Sequence, residues 1–367
     1  MSGGRPRVHL TEECMREGMQ IESLAISVDD KVRLLDALSD TGLEHIVVGS
    51  FVSPRYTPQM ADIDELLRRF TPRPGVRYSA LSLNERGRER AAAWTPPLSD
   101  SGEPPYTLVH LCDTFTRRNT NRSQADEIAG WEQTVADAVD AEATRAGLGA
   151  NAVFGSNFEG RFELERTFEL LERQRVLWAK SGVPVDTVWL GDPMGWCMPD
   201  RTAELIAGVR AAHPEITHFY LHLHDARGLA LASSYAAIAA LDAGIDLYLD
   251  STVGGIGGCP YCGSGRATGL APTEDLVNML EEMGIPTGVD LRRLIEAVWL
   301  LEEILGRPSA GHVSKAGPMP RGSALYDANL PVVESFEEAR HFGLGDGVLD
   351  PDKRPWREPI PNPEPAP

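Results

Sequence analysis

Eight short apolar runs, each followed by a segment of helical period, fill residues 8 to 306, and this alternation constrains the fold more than any other feature. The runs are VHLTEE (8–13), HIVVGSFV (45–52), VRYSALSL (76–83), TLVHLCD (107–113), NAVFGSNF (151–158), TVWLGD (187–192), HFYLHLHD (218–225) and DLYLDSTV (246–253). Their β-branched and aromatic content suits buried strands. DDKVRLLDALSDTG (29–42) carries acids in its first turn and a glycine at its end, as helices do, and SSYAAIAALDAG (233–244) and PTEDLVNMLEEMG (272–284) end the same way. Eight strand–helix units predict an α/β fold, a (β/α)8 TIM barrel. A doubly wound sheet is the alternative, but it would want a glycine-rich turn after the first strand, and none is there. VDLRRLIEAVWLLEEILG (289–306) closes a catalytic domain over residues 1–310. Residues 311–350 read as a mixed C-terminal extension, and the proline-rich 351–367 as a disordered tail.

The formal net charge is −19, which argues against nucleic acid and anionic membrane surfaces as partners, since both would repel such a chain. Five scattered cysteines (Cys14, Cys112, Cys197, Cys259 and Cys262) do not make a disulfide framework. The N-terminus has no apolar signal core and no stretch approaches a membrane span. The expectation is a cytoplasmic protein with reduced thiols.

In such a barrel the strand ends and the loops after them form the active face. Arg16 and Glu17 follow the first run, Asp192 ends the sixth, His222 and His224 end the seventh, and Cys259 lies in the glycine-rich loop after the eighth. Residues two apart on a strand share a side, so His222 and His224 can enter the barrel mouth together. An isolated H-x-H can equally be two polar strand-end residues bonded to loop carbonyls. A carboxylate from another strand end, Glu17, favours the metal reading. Two imidazoles and one carboxylate suit a divalent cation, Mg, Mn, Co or Zn, with positions left for substrate. Arg16 could stabilise a developing enolate oxygen or form a surface ion pair. Cys259 could donate a proton or act as a nucleophile. Cys259 and Cys262 form a C-x-x-C pair outside a thioredoxin-like setting, and no second pair completes a zinc site. TFTRRNTNRS (114–123) brings Arg117 and Arg118 after the fourth run, either to meet phosphates or as a solvated basic loop.

REGMQ (16–20), GSFVSPRYTPQMAD (49–62), LGDPMG (190–195), HLHDARGLALA (222–232), GGIGGCPY (254–261) and PTEDLVNMLEEMGI (272–285) resemble the 3-hydroxy-3-methylglutaryl-CoA lyases, within a wider group of metal-dependent barrel lyases and synthases. The resemblance implies a retro-Claisen cleavage of a 3-hydroxyacyl-CoA to acetyl-CoA and a keto acid, with Mg or Mn first among the metals. It implies metal ligands at Glu17, His222 and His224, enolate stabilisation by Arg16, proton transfer at the substrate hydroxyl by Asp192, and an acid at Cys259. Gln20, Arg227, Arg266, Arg117 and Arg118 would line the acyl-CoA or hydroxy-acid substrate. A homodimer, with an apolar face on the 289–306 helix, would agree with the group.

Four departures surround the substrate. Glu17 replaces an aspartate, one methylene and about 1.5 Å longer. Val47 stands where the family has a glutamate. No asparagine precedes the TED segment, leaving Ser264 or Thr268 as weak substitutes. Arg227 and Arg266 add charge, which suggests a second carboxylate or a phosphate on the substrate. A synthase or aldolase joining an enolate to a 2-oxo acid is the second reading, and a ligand-binding barrel without catalysis the third.

Overall fold

Alternation and β-propensity place seven of the eight strands within three residues of where they form. In a computed structural model, which describes residues 4–82, 85–99, 103–262 and 269–325, the strands are β1 Arg7–Glu12, β2 His45–Ser50, β3 Arg77–Leu81, β4 Tyr106–His110, β5 Ala146–Asn151, β6 Val185–Asp192, β7 His218–Leu223 and β8 Asp246–Ser251. They make one curled sheet in the order β3-β2-β1-β8-β7-β6-β5-β4, and every ladder is parallel. The β1–β8 ladder, from Arg7 opposite Asp246 to Glu12 opposite Ser251, joins the first strand to the last. That is the (β/α)8 TIM-barrel arrangement. Among the described residues no ladder joins β3 to β4; Leu98 instead bridges to Tyr78 of β3.

The fifth strand corrects the sequence reading. AGLGAN (146–151) forms it, whereas 151–158 contributes only the two-residue strand Gly155–Ser156 of a hairpin with Gly160–Arg161. Glycine-poor runs attracted the assignment, but here the glycines are required. A Cβ on Gly149 would lie 2.9 Å from the Thr107 carbonyl oxygen, and one on Gly147 would lie 3.0 Å from the Tyr106 Cβ.

The two faces of the sheet differ in kind. On β7 and β8 the outer face carries Phe219, Leu221, Leu223, Leu247 and Leu249, all nearly inaccessible and part of the apolar layer under the helices. The inner face carries His218, Tyr220 and His222 beside Asp246, Tyr248 and Asp250. There the Tyr220 and Tyr248 rings stack at 4.1 Å, and His9 lies on Tyr248 at 4.6 Å. The lumen is therefore polar and aromatic rather than the aliphatic filling common in such barrels.

Helix signals in the sequence hold. Ser27 caps the helix Val28–Ser39 by accepting the Asp30 N–H, and Asp290 caps Leu291–Leu305, which ends at left-handed Gly306. The apolar stripe of that last helix does not form an exposed face: Leu294, Ile295, Val298 and Leu301 are buried, and Trp299 donates to the Ser314 carbonyl. The beginning of the C-terminal extension packs beside the loop after β8. Ala310 N–H donates to the Gly254 carbonyl, and Asp275 accepts the N–H groups of His312 and Val313. Residues 326–350 of the extension, the 351–367 tail, Ser264, Arg266 and Thr268 lie outside the described residues. No described helix is long and apolar enough to cross a membrane.

Candidate active site

β1 ends in a tight turn, Cys14–Gly18, that aims Arg16 and Glu17 back over the barrel mouth. Glu17 is 3% exposed and lies 3.6 Å, Oε1 to Nε2, from His224. One ligand atom each from Glu17, His222 and His224 comes within 4.8 Å of the other two. A single cation can bridge such a set. The turn is seated by close backbone approach: Gly257, at φ +104°, is where a Cβ would come 2.6 Å from the Glu17 carbonyl oxygen.

The protonation states suit metal ligation. Burial opposes the charge on Glu17, but Arg16, His224 and His222 outweigh it and hold the carboxyl below its ordinary value. Burial pushes His222 down, toward the neutral imidazole that ligates. Its Nδ1 sits 2.8 Å from Asp250 Oδ2, so a proton there leaves Nε2 as the free lone pair. Asp250 is itself raised to about 7 by burial, against the pull of Arg16 and Thr11.

Arg16 is fixed by two carboxylates: Nε donates to Glu13 Oε2 at 2.7 Å, and Nη1 donates to Glu17. Gln20 also hydrogen-bonds Glu17. Asp192, fully buried at the end of β6, accepts the Cys197 N–H on Oδ2 at 2.6 Å, and its carbonyl accepts the His224 N–H at 3.2 Å. Asp192 Oδ1 has no hydrogen-bond partner among the described residues, an exceptional state for a buried carboxylate and one that a bound group would relieve. Burial raises this carboxyl, with the Trp196 and Cys197 N–H groups offsetting part of the rise. A buried base of raised basicity, a fixed guanidinium and a three-donor cluster share one rim.

The basic residues expected at the substrate also have partners within the chain. Arg227 Nη1 donates to the carbonyls of Met194 and Gly195 at 3.0 and 2.7 Å, and its guanidinium covers Trp196. Arg118 Nε donates to the Tyr261 carbonyl at 3.1 Å and the guanidinium lies over Phe158. Both secure loops of the rim. Arg117, exposed, pairs with Asp113 at 2.7 Å. Val47 is buried on β2, opposite Ser79. Sequence reasoning missed Asp250 and Glu13. Asp250 repeats the i, i+2 spacing of the histidines along Asp246-Tyr248-Asp250, and Glu13 lies three residues before Arg16.

A family model described as HMGL-like matches residues 7–300. The chain belongs to the HMGL-like family. It is 33% identical over 303 residues to a hydroxymethylglutaryl-CoA lyase of Bacillus subtilis, covering 82% of this chain and 94% of that one. It is 32% identical over 323 residues to the (R)-citramalyl-CoA lyase of Chloroflexus aurantiacus, 85% and 95% of the two chains. Among solved structures, an HMG-CoA lyase of Acinetobacter baumannii in complex with coenzyme A and 3-methylmalate superposes with a TM-score of 0.69 at 29% identity, covering 88% of this chain and 97% of that one. As an HMGL-like protein the chain is a carbon–carbon lyase.

Proposed function

We propose that this HMGL-like lyase cleaves a branched 3-hydroxyacyl-CoA between C2 and C3, releasing acetyl-CoA and a keto acid, with Mg or Mn as the working ion. The observation that carries the reading is the convergence of Arg16, Glu17, Asp192, His222 and His224 on one rim. Glu17, His222 and His224 would hold the cation, which when bound supplies Lewis acidity to the hydroxyl and carbonyl oxygens of the substrate. Asp192 takes the C3 hydroxyl proton through Oδ1. As the C3 carbonyl forms, the C2–C3 bond breaks and its electron pair passes into the thioester enolate. Arg16, held in place by Glu13 and Glu17, meets the enolate oxygen with a fixed charge that needs no reorganisation. Cys259 returns a proton to C2. Arg117, exposed on the 114–123 segment, would meet a coenzyme A phosphate. Five free cysteines, four of them buried, suit a reducing cytoplasm.

The acyl group is the open choice, because Val47 presents an apolar side chain at the rim of β2. Purified protein is given 3-hydroxy-3-methylglutaryl-CoA and citramalyl-CoA in parallel, with Mg or Mn, and acetyl-CoA release is followed before and after EDTA. EDTA-sensitive release from either thioester supports the reading and names the substrate branch. Release that survives EDTA, or turnover and metal content that survive His224→Ala, would overturn the assigned ligands.

A further inference from the structure

The chemistry above uses Cys259 and leaves its neighbour Cys262 without a role. Cys259-Pro260-Tyr261-Cys262 closes a turn in which the Cys262 N–H donates to the Cys259 carbonyl at 3.3 Å. Such a turn keeps the Cα atoms of its first and fourth residues within about 7 Å, overlapping the span of about 4.4–6.8 Å that a disulfide bridges. The Cys259 side chain is also the largest influence on the Cys262 thiol, as for neighbours in one turn. The turn is held from outside: Asn157 Nδ2 donates to the Cys262 carbonyl at 2.9 Å, Arg118 to that of Tyr261, and Cys262 Sγ to that of Pro193 at 3.0 Å. Cys14, Cys112, Cys197 and Cys262 are buried, whereas Cys259 is half-buried, so a reagent from solvent meets Cys259 first.

We propose that Cys259 and Cys262 form a thiol–disulfide couple, a site of reversible oxidation by small-molecule disulfides that withdraws Cys259 from turnover. The Cys259 thiolate attacks one sulfur of the small disulfide. That S–S bond breaks, one half leaves as a thiolate and takes up a proton, and a mixed disulfide remains on Cys259. Cys262 then loses its proton and attacks the Cys259 sulfur, and the second half leaves as a thiol. Two protein thiols become one disulfide while one small disulfide becomes two thiols. In the reduced pair, the hydrogen bond with Cys259 and then burial hold the Cys262 thiol well above its ordinary range. The mixed disulfide removes the first of these causes and frees Cys262 to resolve it.

The loss of turnover rests on the acid role given to Cys259; formation of the disulfide does not. The full chain is treated with oxidised glutathione, quenched with an alkylating reagent, and read by intact and peptide mass alongside thioester cleavage. The expected product lacks two hydrogens and carries no glutathione, with Cys259 and Cys262 both protected from alkylation. Cleavage falls by about 100-fold, the scale of a lost general acid, and dithiothreitol restores it. Cys262→Ser is active when reduced and stops at a glutathione adduct on Cys259. A wild-type chain that also stops at the adduct, or whose two thiols remain open to alkylation, overturns the couple. A disulfide that forms while cleavage persists supports the couple and overturns instead the acid role of Cys259.

Discussion

A single carboxylate, Asp250, decides which nitrogen of His222 faces the rim. Asp250→Asn keeps an acceptor for the Nδ1 proton but removes the charge behind it. Metal affinity, measured by calorimetric titration, is expected to fall about 10–100-fold with the fold intact, and Asp250→Ala to fall further. Gly257→Ala should act on the same site from the other side, by forcing the Glu17 backbone away from a Cβ with no room. At this scale the ligand pair was legible in the sequence, because H-x-H on a strand fixes a shared side without knowledge of neighbours. Asp250 was not, since its meaning depends on β8 lying beside β7 in register. The loop contacts of Arg227 and Arg118 were hidden for a related reason: a sequence shows charge near a site but not the backbone carbonyls that bond it.

Among the elements, β5 shows where propensity fails. Ala146–Asn151 is fully buried and forms ladders with both neighbours, yet its alanines and glycines are poor strand formers by composition. Space on the inner face, crowded by Tyr106 and Thr107, selects glycine there. Gly149→Ala should therefore cost about 1–3 kcal/mol in urea unfolding, although alanine would stabilise an unconstrained strand. Helix ends were easier to read because their signals are local. Asp290→Ala removes an acceptor for the N–H groups of Arg292 and Arg293, and should cost about 1 kcal/mol while leaving cleavage unchanged.

Over the whole molecule, stability depends on pH through buried acids. Burial raises Glu12 to about 7 and Glu274 to about 8, well above the ordinary carboxyl range, against the hydrogen bonds each accepts. Between about pH 5 and 8 these two carboxyls hold more protons in the folded chain than in the unfolded chain, so their contribution to the stability of the metal-free protein falls as pH rises through that window. Glu274→Gln should flatten the decline and stabilise by on the order of 2 kcal/mol at pH 8, with little difference at pH 5, in thermal scans. The barrel's unjoined edge has its own consequence. Among the described residues β3 and β4 each lack one strand neighbour, whereas β1, β7 and β8, which carry or directly precede Glu17, His222, His224 and Asp250, each have two. Amide hydrogen exchange should therefore start at Arg77–Leu81 and Tyr106–His110 and reach the ligand strands last. A divalent ion should slow exchange in the ligand strands and leave the rate at the edge unchanged, so that the molecule breathes at a seam set apart from its chemistry.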